Sequence, residues 1–347
     1  MQNQKHYTLN NGIQIPKIGF GTDYLKGKEC INAVIKAIEV GYRLIDTARI
    51  YDNEKEIGIA VKECIKKGLI KRSDILIQTK VAWYDVGYEQ VLESYNKSLK
   101  ELDLEYIDLY CLHQSYVDSF TWQEDIRQNW KAMEYLYDVG KVRAIGVCNF
   151  SFRSIALLTS WARVCPSFNQ IELHPQCQHN DLVAFCKNRN ILIQPWSALN
   201  KGKIFDIESI KTLCKQYGKN CGQIAIAWSI QKGYAPLVRS SNPEHIRQNF
   251  DIYDVELSQE AISILDSLDG SSLPFYDMES EIPIGQIPSH RFYRAFNIGH
   301  LVTTKYKFLG LTVAKSIRKN SDIYIYIYIC GLKLFRIKST KVPLYQM

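Results

Sequence analysis

Residues 46–58 read Asp46-Thr47-Ala48-Arg49-Ile50-Tyr51-Asp52-Asn53-Glu54-Lys55-Glu56-Ile57-Gly58. Asp46 closes a short apolar run that is typical of a β-strand, and Tyr51 follows soon after it. Two further runs of this kind end at Lys80 and at His113. A carboxylate, a phenol, an ammonium and an imidazole gathered at strand ends can protonate a carbonyl oxygen. Reduction of that carbonyl also needs a hydride, which a cofactor must supply.

Short β-branched runs alternate with longer amphipathic segments after residue 40. Close to eight such units in roughly 270 residues favour a parallel (β/α)8 TIM barrel over an open sheet. The predicted strands are Tyr42–Asp46, Ile75–Lys80, Tyr106–His113, Ala144–Phe150, Phe168–His174, Ile191–Trp196 and Ala235–Arg239, with an eighth expected at Leu69–Ile70 or near Ile57. The predicted helices are Lys28–Val40, Asn53–Lys67, Tyr88–Leu102, Asn129–Val139, Phe152–Trp161, Asp181–Arg189, Cys221–Gln231 and Asn242–Asn249.

The first forty residues carry two further signals. Residues 7–15 alternate around Asn11-Gly12, which predicts a β-hairpin, and we expect it to plug the bottom of the barrel. No Gly-x-Gly-x-x-Gly follows the first predicted strand, which counts against an open dinucleotide-binding sheet. The segment Gly19-Phe20-Gly21-Thr22 resembles that motif only superficially.

Charge and composition exclude several classes of protein. From residue 271 onward the chain has 11 Lys/Arg and 4 Asp/Glu, so residues 1–270 hold 32 of each sign and give no reason to expect nucleic-acid binding. No apolar run reaches the roughly 18 residues of a membrane helix, and the N-terminus lacks a signal-peptide core. Ten scattered cysteines predict reduced thiols and a cytoplasmic location.

Polar side chains fall at or just after the ends of seven predicted strands. In a (β/α)8 barrel these ends meet at the C-terminal face, where the chemistry takes place. The residues are Asp46, Lys80, His113, Asn149, Gln170, His174, Trp196, Arg239 and Ser240.

Three motifs make the chain resemble an aldo-keto reductase over about residues 5–270. They are Asp-Thr-Ala-x-x-Tyr-x-Asn-Glu-x-x-Ile-Gly at 46–58, Gly-Lys-Val-Arg-Ala-Ile-Gly-Val-x-Asn-Phe at 140–150 and Asn-Gln-Ile-Glu-x-His-Pro at 169–175. The resemblance implies a (β/α)8 barrel that binds NAD(P)H without a Rossmann fold, reduces small aldehydes or ketones and is a monomer.

The resemblance also implies roles for the four residues introduced first. Tyr51 would be the general acid, and Lys80 would lower its pKa, while Asp46 would hold Lys80 in its charged form. His113 would orient the substrate carbonyl and stabilise the developing alkoxide. Tyr24 and Trp83, with His113, would line the substrate pocket.

The resemblance also implies which residues contact the cofactor. Asn149 and Gln170 match positions that hold the nicotinamide carboxamide, and Trp196 matches the aromatic residue that stacks on the ring. The full predicted set is Thr22, Asp46, Cys148, Asn149, Gln170, Trp196, Ser197, Leu199, Arg239, Ser240, His245 and Asn249.

The chain departs from the family pattern at three places around this site. Arg239 and His245 stand where the family usually has Lys and Arg facing the 2′-phosphate of NADPH, so we expect NADPH to be preferred by a reduced margin, with NADH possible as a substitute. Cys148 replaces the usual serine beside Asn149. Asp23 and Ala82 replace frequent tryptophans, which predicts a wider and more polar mouth.

The C-terminal part of the chain departs completely from the family pattern. We expect residues 1–285 to form the barrel and residues 286–347 to be an atypical, basic, low-complexity extension with poor order. The alternation Ile323–Ile329 has high β propensity and no charge.

Two other functions stay open at the level of sequence. A non-catalytic barrel could bind the cofactor as a redox-sensing regulatory subunit, although the four intact residues argue against it. A metal-dependent hydrolase is disfavoured because no His/carboxylate cluster is evident, and we predict no metal site, including at His174–His179.

Overall fold

A computed structural model describes residues 5–115, 121–272 and 274–277, and beyond these the backbone of six strands. The chain divides into two units. One reaches Pro274, and the other contains Phe275–Asp277 and the chain from Ile282.

The first unit is a nearly closed barrel of eight parallel strands, preceded by an antiparallel hairpin of β1 (His6–Thr8) and β2 (Gln14–Pro16). The barrel strands follow in sequence order around the sheet, with the last, β10, beside the first, β3. The Ala235 amide donates to the Ile193 carbonyl at 3.0 Å, next to the ends of the sheet. The strands are β3 (Gly19–Gly21), β4 (Leu44–Asp46), β5 (Leu76–Val81), β6 (Ile107–Leu112), β7 (Val142–Cys148), β8 (Phe168–Glu172), β9 (Leu192–Trp196) and β10 (Leu237–Val238).

Helices cover the outside of this sheet. They are α1 (Gly27–Val40), α2 (Glu54–Lys66), α3 (Tyr88–Leu102), α4 (Trp122–Asp138), α5 (Phe152–Thr159), α6 (Asn180–Lys187), α7 (Glu208–Tyr217), α8 (Cys221–Gln231), α9 (Pro243–Phe250) and α10 (Gln259–Asp266). Helix α3 shows why they form, because its buried side chains recur at helical spacing and include Val91, Tyr95 and Leu102. Among the described residues, no helix combines the length and apolar character needed to cross a bilayer.

The predicted barrel is confirmed, but the predicted position of its eighth strand is wrong. That strand is Gly19–Gly21, whereas Ile57 lies in α2 and Leu69–Ile70 is not a strand. Two of its three residues are glycines, so it has little intrinsic β propensity. A methyl group on Gly19 would lie 2.5 Å from Leu237 Cδ2, which shows that close packing requires glycine here.

The hairpin closes the bottom of the barrel, as predicted. Leu9 and Ile15 are buried in one apolar cluster with Leu44 and Leu76, the first residues of their strands. The chain turns at Gly12, whose φ of 86° suits glycine.

The second unit contains only strands among its described residues. They are β11 (Tyr276–Asp277), β12 (Ile282–Pro283), β13 (Tyr293–Ile298), β14 (Leu301–Phe308), β15 (Leu311–Lys319), β16 (Asp322–Ile329) and β17 (Leu332–Ser339), with β13 to β17 in one antiparallel sheet. The run Ile323–Ile329 lies in β16. The boundary at residue 285 and the poor order expected of the extension stay predictions.

Candidate active site

A buried ion pair lies at the centre of the barrel. The Lys80 ammonium donates to both oxygens of Asp46, at 2.9 and 2.8 Å, and to the Thr47 carbonyl at 2.8 Å. Lys80 is fully buried. Burial is the largest single effect and lowers the pKa of Lys80, but the contributions of Asp46, then of Tyr51 and of two nearby thiols, together outweigh it and the pKa is raised above its usual value. Lys80 is therefore a fixed positive charge.

Further donors hold Asp46 in place. Its Oδ1 accepts hydrogen bonds from Gln78 and Gln170, each at 3.0 Å, and its carbonyl accepts one from the Thr22 hydroxyl at 2.9 Å. Gln78 also donates to Gln194 at 2.9 Å. Sequence reasoning missed Gln78 and Gln194. The available signal was an amide in the middle of an otherwise apolar strand, because a buried amide needs partners.

Tyr51 lies over this pair on a short 3-10 helix, Arg49–Tyr51, that follows β4. The Lys80 ammonium is 4.9 Å from the centre of the Tyr51 ring. Burial raises the pKa of Tyr51, and the nearby Lys80 lowers it by less, so the net pKa lies above the usual value. Lys80 thus acts on the phenol in the expected direction, but desolvation has the larger effect.

His113 also packs against Tyr51. The two rings meet edge to face, with their centres 5.8 Å apart. Burial and then the Lys80 charge hold the pKa of His113 well below its usual value, so the imidazole is neutral near pH 7. Its Nδ1 is buried without a hydrogen-bond partner among the described residues. All four predicted catalytic residues are therefore brought together.

The ends of β7, β8 and β9 form a polar cluster beside these residues. Trp196 Nε1 donates to Asn149 Oδ1 at 2.9 Å, and Asn149 Nδ2 donates to the His113 carbonyl at 3.2 Å. Cys148 lies within the range for a weak thiol hydrogen bond to Gln170, with Sγ 3.6 Å from Oε1. Asn149 adopts a left-handed φ of 57°, which asparagine tolerates better than most residues.

The remaining predicted cofactor positions follow the ends of β9 and β10 or lie on α9. Ser197 has a buried hydroxyl without a partner in the described part of the chain. Arg239 and His245 are exposed, and the Ser240 hydroxyl accepts from the Asn242 amide at 3.1 Å at the start of α9. Leu199 and Asn249 approach each other at the first turn of α8, where a methyl group on Gly222 would lie 3.7 and 3.3 Å from them.

The predicted substrate residues are less closely gathered. Tyr24 is 72% exposed, and the Arg239 guanidinium lies 5.5 Å from its ring centre. Trp83 is 41% exposed and packs edge to face against Tyr84. Neither side chain takes part in the contacts around Tyr51 described above, so the assignment of Tyr24 and Trp83 to the pocket stays a prediction.

The side chains present suit a nicotinamide nucleotide. Asn149 offers an amide for a carboxamide, and Trp196 offers an aromatic face. The unpartnered Ser197 hydroxyl and the exposed Arg239 guanidinium can bind phosphate oxygens. Within the described ranges, no group of three His, Cys, Asp or Glu side chains is placed to hold a metal ion.

Comparisons with known proteins agree with this geometry. Residues 17–270 match the model of the aldo/keto reductase family. The glyoxal reductase of Bacillus subtilis is 37% identical over 75% of this chain and 91% of its own.

Two solved structures also resemble the chain. An aldo-keto reductase from a Medee basin deep-sea metagenome library is 37% identical, with a TM-score of 0.74 over 79% of this chain and 98% of its own. An aldo-keto reductase of Bombyx mori, solved in complex with NADP, is 30% identical, with a TM-score of 0.71 over 77% and 94%. This chain belongs to the aldo/keto reductase family.

Proposed function

We propose that the protein reduces small aldehydes or ketones to alcohols with NADPH, and that Tyr51 is the general acid. The observation that carries this proposal is the packing of Tyr51 against both Lys80 and His113, with the Lys80 ammonium 4.9 Å from its ring centre. A bound nicotinamide nucleotide would supply the hydride.

Three side chains have separate roles in the proton transfer. Tyr51 stays protonated at neutral pH because burial raises its pKa, so it can give its proton to the carbonyl oxygen. Lys80 stabilises the tyrosinate that remains. Neutral His113 offers one N–H to the same oxygen, which orients the carbonyl and spreads the developing negative charge.

Nucleotide choice follows from the loop after β10. Arg239 and His245 are exposed at this loop and at α9, where a 2′-phosphate would add charge-assisted hydrogen bonds to the guanidinium. The Bombyx mori relative in complex with NADP supports the same choice. We expect kcat/KM to be higher with NADPH than with NADH, and Arg239→Gln to remove most of the difference. A preference for NADH in the unaltered chain would contradict this.

The decisive experiment measures loss of NADPH absorbance with a panel of aldehydes and ketones. Tyr51→Phe removes the proton donor and keeps the ring, so we expect kcat to fall about 100-fold or more. Tyr135→Phe, at an exposed tyrosine on α4, is the matched control and should leave kcat unchanged.

The regulatory-subunit alternative predicts a different result. Tight NADPH binding without turnover on any carbonyl would favour this alternative. None of the contacts described above favours it.

A further inference from the structure

Two cysteines meet at the corner between α7 and α8. Cys214 Sγ is 2.8 Å from Cys221 Sγ, less than about 1 Å farther than in a disulfide. Both thiols are free, and Cys214 is half-buried, so the pair can be reached from solvent. Of the ten cysteines, Cys330 lies outside the described residues.

The same corner adjoins the predicted cofactor positions. Cys221 is the first residue of α8, and Gly222 directly after it lies against Leu199 and Asn249. Asn220, which caps α8, donates to Gln248 on α9 at 3.2 Å. The first turn of α8 thus contacts both the α7 cysteine and α9.

We propose that Cys214 and Cys221 form an oxidation site that takes a hydroperoxide, and that the resulting disulfide weakens NADPH binding. The predicted weakening of NADPH binding rests on the function proposed above. Formation of the disulfide between Cys214 and Cys221 does not depend on that function.

The peroxide is the oxidant in this reaction. One thiol, as its thiolate, attacks the O–O bond, which breaks to release an alcohol, or water from hydrogen peroxide, and leaves a sulfenic acid. The second thiol attacks that sulfur and expels the oxygen as water. The two sulfurs lose two electrons and two protons to the peroxide. Burial raises the pKa of Cys214 to about 12, so the reaction is slow at neutral pH and needs sustained exposure.

The weaker binding follows from the position of the tether. A disulfide would draw the first turn of α8 toward α7 and would thereby displace it from its present contacts with α9. The contact of Gly222 with Asn249 would loosen. Because coupling between sites is reciprocal, bound NADPH should also shift the thiol–disulfide equilibrium toward the two free thiols.

The test uses the full chain, reduced with dithiothreitol and then exposed to hydrogen peroxide. Lys215 and Lys219 lie between the two cysteines, so trypsin separates them unless a disulfide joins their peptides. Mass spectrometry of the unreduced digest detects the joined peptides. Quenching of tryptophan fluorescence measures the Kd of NADPH before and after oxidation.

We expect joined peptides and at least a threefold rise in Kd, both reversed by dithiothreitol and both absent in Cys214→Ser and Cys221→Ser. Cys165→Ser, at another half-buried cysteine, should behave like the unaltered chain. Absence of the joined peptides would overturn the proposal. So would an unchanged Kd in the cross-linked protein, or an equal rise in Cys214→Ser, which would implicate another thiol such as Cys148. Failure of the reduced protein to bind or use NADPH would instead refute the function proposed above.

Discussion

At the scale of single residues, the site depends on the placement of Asp46. Its carboxylate accepts hydrogen bonds from Lys80, Gln78 and Gln170. The sequence predicted the four central residues, because Asp46 and Tyr51 lie in one specific motif and Lys80 and His113 end strand-like runs. It did not predict Gln78 and Gln194, because no family motif contains them and a lone amide in a strand is compatible with many roles.

The buried pair can be tested by removing one partner and then both. Lys80→Met leaves the Asp46 carboxylate buried without its counter-charge, so the free energy of unfolding should fall by about 3–5 kcal/mol. Adding Asp46→Asn removes the stranded charge and should restore part of that loss, while activity stays absent. Urea denaturation measures both. A double variant no more stable than Lys80→Met would show that packing, and not charge, explains the loss.

His113 gives the protein a predictable dependence on pH. Its pKa in the folded chain lies well below the value of about 6.5 expected when unfolded. Below pH 6.5 the unfolded chain therefore binds a proton that the folded chain does not, so stability falls as pH falls, by up to about 1.4 kcal/mol per pH unit.

Chemical denaturation between about pH 7.5 and 5 should show this loss. The fall in stability on acidification should be smaller in His113→Phe, because the unfolded variant has no imidazole at this position to take up a proton. His245→Gln, at an exposed histidine, is the control and should keep the slope of the unaltered chain. Equal slopes in His113→Phe and the unaltered chain would contradict the assignment.

At the scale of elements, prediction succeeded where many side chains along a helix are buried. The predicted bounds of α3 and α8 match the structure. Helices α7 and α10 were missed, and each has only two buried side chains, such as Ala261 and Leu265 in α10, so the apolar pattern is short. Strand β3 was missed because Gly19 is dictated by close contact with Leu44 and Leu237, which are distant in sequence.

The crossing of α2 and α3 depends on one glycine. A methyl group on Gly58 would lie 1.9 Å from the Leu102 carbonyl oxygen, which is backbone and cannot turn aside. Gly58→Ala should therefore lower the free energy of unfolding by about 1–3 kcal/mol or more, despite the better helix propensity of alanine. Gly21→Ala is the control for stability, since its methyl group would meet nothing closer than 3.9 Å. Thermal unfolding of the two variants gives the comparison, and equal midpoints would contradict the expected clash.

At the scale of the whole molecule, the barrel is the unit on which the site depends. All described site contacts lie before residue 274, and the family match ends at residue 270. The extension could not be interpreted from sequence because it resembles nothing in the family and its alternation is of low complexity. The monomeric state and the cytoplasmic location stay predictions.

Removal of the extension tests this division. A chain that ends at Gly285 should keep its kcat/KM within about twofold and unfold at a similar temperature, because the barrel buries its own core. Calorimetry and the NADPH assay on both chains provide the measurement. A large loss of kcat/KM in the shorter chain would place part of the site in residues 286–347.

The hairpin beneath the barrel has a kinetic consequence. Because Leu9 and Ile15 seal the end where the strands begin, molecules that reach Tyr51 must pass through the opposite end, both on arrival and on departure. Two reactants that enter through the same opening must bind in sequence, so the one that binds deeper enters first and leaves last. Product-inhibition patterns should therefore show a compulsory order of binding, dictated by a five-residue loop, residues 9–13, and its two strands far from the chemistry.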